Sequence, residues 1–218
     1  MDQAQDLNRP QSDGRCRIFL LSPANAGGER ARILFNPRAE FDLARRLRGP
    51  GVTLAEAFSF ISGLYFRGKL AYAAAFALPP PELPGAFVIT GGRGLLAPET
   101  IITLEELRQI ASVPIDAADL RYRIPLEQHC RALYEITGGL CDFVLLGSIA
   151  TPKYLEPITA IFAGRLLFPG EFVGRGDMSR GGLMLRCARA GVPLTHVPVG
   201  NVTLHGKRPP RLPRINRV

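Results

Sequence analysis

The chain has 218 residues, 46% of them hydrophobic, and a formal net charge of +8. That length and apolar content suit one folded domain with tails. No run approaches the ~18 apolar residues of a membrane-spanning helix, so no membrane association is expected.

The polar opening MDQAQDLNRPQSDG lacks a signal-peptide core, which makes the cytoplasm the expected compartment. Lys207, Arg208, Arg211, Arg214 and Arg217 carry five of the eight net positive charges, and Arg30, Arg32, Arg38, Arg45, Arg46 and Arg48 form a second basic cluster. Arginine outnumbers lysine there, and guanidinium groups favour bidentate phosphate contacts. Cys16, Cys130, Cys141 and Cys187 contain no CxxC pair. Zinc is therefore not expected, and in a reducing compartment neither are disulfides.

In chain order, residues 1–14 read as a disordered N-terminus, 15–204 as one α/β domain and 205–218 as a disordered basic Pro/Arg tail. The apolar run Arg17 to Ser22 closes on Pro23 and predicts a first strand. Phe41, Ala44 and Leu47 have helical spacing within 38–47. Thr53 with Glu56 predicts a capping box for a helical stretch from Leu54 to Leu78, interrupted near Ser62 and Gly63. Within it, Tyr65, Arg67, Lys69 and Tyr72 interleave rings and charges. This pattern suits either base stacking or an amphipathic helix, and Tyr72 is assigned to the core.

Ala86 to Thr90 predicts a buried strand. Thr103 with Glu106 predicts a second capped helix through Ala111, and Pro125 is expected to open a helix ending at Gly138 and Gly139. Asp142 to Leu146 predicts a third strand, Tyr154 to Phe162 a helix and Arg165 to Phe168 a fourth strand. Phe172 and Val173 are expected to continue or neighbour that strand, and Leu194 to Val199 to form a last one. Continuous apolar strands alternating with helices imply a single α/β domain, with a mostly buried mixed or parallel sheet flanked by helices.

The segment FVGRGDMSRGGLMLRCARAG, from Phe172, combines glycines, two arginines and a helix start, with Asp177 or Ser179 expected as the cap. Helix N-termini and arginines attract anions, so Arg175, Gly176, Ser179 and Arg180 are candidate phosphate-binding residues. Ligands in open α/β sheets bind beyond the carboxyl ends of strands. Ser22, Asn25, Arg93, Gly94, Ser148 and Tyr154 are therefore candidate pocket residues, and Asp177, Lys153 and Glu99 are candidate acids, bases or nucleophiles. No P-loop, GxSxG elbow or HExxH motif is present, and the three histidines lack metal spacing. Neither cofactor nor metal is implied.

Four phrases occur in order: Leu20-Leu21-Ser22-Pro23-Ala24-Asn25; Thr90-Gly91-Gly92-Arg93-Gly94-Leu95-Leu96-Ala97-Pro98; Gly147-Ser148-Ile149-Ala150-Thr151-Pro152-Lys153-Tyr154; and Gly174-Arg175-Gly176-Asp177-Met178-Ser179-Arg180. Together they resemble the YaaA family, bacterial peroxide-stress proteins that bind DNA. The chain departs from that pattern where Asn25 replaces a lysine and the second phrase lacks a tyrosine. The resemblance implies a nucleic-acid-associated stress or DNA-maintenance role, with DNA favoured over RNA and a phosphate or nucleotide pocket behind the strands. The alternative is an enzyme acting on a nucleobase or nucleotide, as a glycosidic-bond or base-modifying transferase. A third reading is a protein-interaction module whose tail docks in extended form.

Overall fold

The computed structural model describes residues 15–201 together with 209, 210 and 212. The fold is α/β. Strand β1 (Arg17–Leu21) is followed by helices α1 (Glu29–Phe35) and α2 (Asp42–Arg48), the short strand β2 (Val52–Thr53), and helices α3 (Leu54–Ser62) and α4 (Leu64–Phe76). Next come β3 (Ala86–Thr90), β4 (Gly94–Leu96), β5 (Ile101–Ile102), α5 (Leu104–Ser112) and α6 (Leu120–Ile136). The chain then forms β6 (Asp142–Leu146), α7 (Pro152–Phe162), β7 (Leu166–Pro169), α8 (Asp177–Ala190) and β8 (His196–Pro198).

Six strands form one sheet in the order β4-β3-β1-β6-β7-β8, and β2 pairs with β5 in a separate ribbon. The four inner strands run parallel, while β4 and β8 are antiparallel edges. Ile18, Phe19, Leu20 and Leu21 are all fully buried, as a strand covered on both faces requires. Ile18 lies opposite Phe143 and Phe19 opposite Val144, and side chains alternate between faces. Phe143 stacks on Phe162 of α7, whereas Phe19 meets Tyr72 of α4 edge-on. Helix α4 thus covers one face and α7 the other.

From β1 the chain crosses to β3 on one side and later returns to β6 on the other. Neighbouring strands whose connections leave in opposite directions open a crevice at their carboxyl ends. Here that crevice lies beyond Leu21 and Leu146.

Helices α4 and α8 approach at backbone distance. A Cβ added to Gly68 would lie 2.7 Å from the Gly181 carbonyl oxygen, and one added to Gly181 would lie 2.8 Å from both Leu64 O and Tyr65 Cα. Further along α4, the buried Tyr72 hydroxyl accepts the Leu194 N–H at 2.7 Å and meets His196 Nε2 at 3.0 Å. The direction of the Tyr72–His196 hydrogen bond follows the tautomer of the His196 ring. Burial lowers the His196 pKa to about 4.

Several sequence expectations hold. The predicted strands around Phe19, Val88 and Val144 are present, and both capping boxes form. Gly63, at φ 58°, divides α3 from α4, and Tyr72 is core. Others are corrected. Residues 38–41 precede α2, which starts at Asp42. Helix α6 begins at Leu120, where Asp119 caps it through the Arg121 N–H, so Pro125 sits inside the helix. Phe172 ends a 3-10 turn (Gly170–Phe172) rather than extending β7. Strand β7 starts at Leu166 and β8 covers only His196–Pro198. The N-cap of α8 is Gly176, and neither Asp177 nor Ser179 caps it.

The absence of disulfides is also corrected: Cys16 and Cys141 are disulfide-bonded. Arg17 and Asp142 are register partners in adjacent parallel strands, so the residues just before them stand side by side. A separation of 125 residues hides that pairing from the sequence. Cys130 is buried and carries a free thiol. Residues 1–14 and most of the tail lie outside the described residues, while Pro209, Pro210 and Leu212 line a cavity beside α8.

Gly181→Ala tests the helix crossing. Alanine stabilises a helix by about 1 kcal/mol relative to glycine, yet here the added methyl meets backbone that cannot swing away. We expect a net loss of about 1–3 kcal/mol, read as a fall of about 2–4 °C in melting temperature per kcal/mol. Gly182→Ala, whose Cβ would meet only a Leu212 methyl at 3.7 Å, should not fall.

Candidate functional site

The crevice beyond β1 and β6 widens into a cavity of about 570 Å³, within the size range of small-molecule sites. Its floor is Ser22, the first residue after β1. The Ser22 N–H continues the ladder to Leu146 O at 3.2 Å. The Ser22 hydroxyl donates to the same oxygen at 3.3 Å. A Cβ on Gly147 would lie 3.0 Å from Ser22 Cβ. A side chain on the residue after β6 would therefore crowd the serine beside it.

Behind Ser22 lies Lys69 of α4, fully buried. Its Nζ donates to Ser22 Oγ at 2.6 Å and to Ser22 O at 2.8 Å. The Tyr65 ring stacks under the same nitrogen at 4.0 Å from its centroid, with the Phe66 ring at 5.5 Å. Among the described residues no carboxylate lies within ion-pair distance of it. Burial pushes the Lys69 pKa down to about 7, against a partial restoring pull from Asp177 and a further push from Arg180. Near neutral pH a substantial fraction of this amine is thus uncharged and basic.

Tyr65 and Tyr154 flank Ser22. Both are over nine-tenths buried and line the cavity, and burial raises both phenol pKa values, that of Tyr65 to about 12. The Tyr65 hydroxyl has no hydrogen-bond partner among the described residues. Arg180 and Ser22 lie near enough to temper its pKa without meeting hydrogen-bond geometry. A buried donor left unpaired costs about 1–3 kcal/mol, and its natural partner is an acceptor entering the cavity.

Two helices begin at the rim. Tyr122 of α6 donates to the Lys153 carbonyl at 2.9 Å and so fixes the first turn of α7, which places Lys153 on the cavity. The Lys153 ammonium lies 5.1 Å over the Tyr154 ring, with no carboxylate at ion-pair distance among the described residues. Asp177, the first residue of α8, is exposed on the opposite lip and sits 3.8 Å from Arg180. Among the described residues neither helix start has a side-chain cap, so first-turn N–H groups, those after Pro152 in α7, can meet an acceptor. An apolar wall completes the cavity, made of Phe58 on α3 and Ile110, Val113, Pro114 and Ile115 around the end of α5. Gly91 admits that wall, since a Cβ there would sit 2.4 Å from Val113 O.

Of the sequence candidates, the cavity gathers Ser22, Asn25, Ser148, Tyr154, Lys153 and Asp177. The Asn25 and Ser148 side chains also brace their own loops, by accepting from the Gly27 and Ala150 N–H groups. Arg93 points elsewhere and pairs with Glu106 at 2.9 Å. Gly94 packs against Pro125 and His129, and Glu99 is exposed in the turn after β4. Arg175, Gly176 and Ser179 line the second cavity of about 320 Å³, where Arg175 donates to Ser179 Oγ, Glu171 O and Pro210 O. Arg180 is buried and donates twice to Phe172 O. The arginines of this segment therefore brace α8 rather than line the main cavity. Lys69, which the sequence reading placed only within the interleaved rings and charges of α4, lies directly behind the cavity floor.

No protein family, curated protein or solved structure matches the chain.

Lys69→Met tests the cost of the buried amine. The folded pKa lies below the ordinary lysine value of 10.5. Between those values the unfolded chain holds more protons, so wild-type stability rises with pH from about 7 towards 10.5. The methionine variant should melt higher than wild type below pH 7, and the gap should close as the pH is raised. A gap independent of pH would show that Lys69 is not the titrating group.

Proposed function

We propose that this protein is an enzyme acting on a nucleotide-sized small molecule bound in the main cavity. The observation that carries this reading is the buried, acid-free Lys69 on Ser22 at the floor of a cavity at the sheet's switch point. Buried amines without counter-charges are costly, and they concentrate where chemistry needs a perturbed base. The apolar wall from Phe58 to Ile115 suits a base, and Lys153 with the uncapped first turn of α7 suits a phosphate. Asp177 is placed to meet a ribose hydroxyl or a substrate amine.

Titration calorimetry with nucleoside monophosphates and their parent nucleosides tests the reading. We expect binding of at least one monophosphate, weakened about tenfold in Lys153→Ala, as loss of one charge-assisted hydrogen bond implies. Absence of heat with every nucleotide and nucleoside would overturn it.

A second reading, nucleic-acid association with DNA favoured over RNA, is supported by charge. Arg32, Arg38 and Arg45 are exposed and make no ion pair among the described residues, and the tail adds five cations. This is the reading that the YaaA-like phrases also favour. Counterion release makes such binding fall steeply with salt, by about 0.9 in log–log slope per phosphate neutralised. A chain ending at Leu204 should lose up to about 4.5 units of slope on duplex DNA. An unchanged slope would remove the tail, and absence of wild-type binding at low salt would remove nucleic acid.

A further inference from the structure

We propose that Ser22 and Lys69 are a nucleophile and general base for acyl transfer, and that the substrate is a carboxylic ester or amide small enough for the main cavity. The inference rests on the reading of that cavity as a substrate site and names its reaction. Three observations support it. Ser22 Oγ lies 2.6 Å from Lys69 Nζ, within direct proton-transfer distance. Ser22 lines the cavity, whereas Lys69 is wholly covered, so the serine is the group a substrate can reach. The Tyr65 hydroxyl, buried and without a partner among the described residues, supplies an unused donor in the same cavity.

The step balances as follows. The uncharged Lys69 amine accepts the Ser22 proton, needing only a turn of the hydroxyl hydrogen away from Leu146 O. Ser22 Oγ forms a bond to the substrate carbonyl carbon, and the carbonyl π pair moves onto oxygen, where Tyr65 donates to it. Collapse breaks the bond to the leaving alcohol or amine, which takes the proton back from the Lys69 ammonium. Water then attacks the acyl-serine with Lys69 again as base, releasing a carboxylic acid and restoring Ser22. No redox partner or metal enters the balance.

The test is labelling of the full chain with an alkyl fluorophosphonate, followed by intact mass and peptide mapping. We expect one adduct per chain, on Ser22, absent in Ser22→Ala. In Lys69→Met, whose fold is checked by its melting curve, labelling should slow at least 100-fold. The wild-type rate should rise with pH up to about 7 and level above it. The groups facing Lys69 are Tyr65 on its own helix, Asp177 and Arg180 on α8, and Tyr154 beside Ser22 on α7. Asp177→Asn should therefore lower the midpoint, because it removes a negative charge. A nucleotide that binds by calorimetry should protect Ser22. Labelling without nucleotide binding would uphold the pair and overturn the nucleotide reading. Nucleotide binding with no Ser22 adduct, or with labelling indifferent to Lys69→Met, would overturn the pair and leave the binding reading standing.

Discussion

The contact between Gly68 and Gly181 is the constraint on which the rest of the site depends. Two helices meet there with no side chains between their backbones, closer than any Cβ permits. Lys69 and Tyr65 lie within one turn of Gly68, and Arg180 and Asp177 within about one turn of Gly181. The crossing thus sets which residues of α4 face the strand ends and where α8 begins on the rim. Arg180, anchored to Phe172 O, holds the start of α8 against the turn before it. Its guanidinium also adds to the pressure on Lys69 to lose its proton.

The cavity floor is built by subtraction. Gly147 leaves room for Ser22, Gly91 lets the end of α5 approach, and the lysine occupies a place that a hydrocarbon would fill at lower cost. The protein thus carries a destabilising amine where an apolar core residue would serve stability better. The remaining lining combines hydrocarbon from α3 and α5 with hydroxyls, an ammonium and helix starts.

Much of the fold was legible because its signals are local. Continuous apolar runs announced the three central strands, and Thr–x–x–Glu spacing marked two helix starts. Gly63 marked a break in a helical stretch. The cavity was legible in outline because residues after strand ends converge in an open sheet, as Ser22, Ser148 and Lys153 do. What the sequence hid was relational. Arg175 and Arg180 sit at a helix start, as their pattern suggests, but their direction depends on the carbonyls of Glu171, Phe172 and Pro210. Pro125 looked like a helix start because proline is favoured there, yet the cap at Asp119 begins the helix earlier. Lys69 differs from any snorkelling lysine only through what surrounds it, and those neighbours come from the residue after β1, from its own helix and from α8. The partnership of Cys16 with Cys141 depends on strand order, which no local pattern encodes.

That covalent bond joins the starts of two adjacent strands whose far ends carry Ser22 and Gly147. It makes everything from residue 17 to residue 140 a closed ring. Tension arriving along the chain before Cys16 passes straight across to β6, and the ring bears none of it. A cut at any single place within the ring leaves the two pieces tethered, with the floor of the cavity still carried on neighbouring strands.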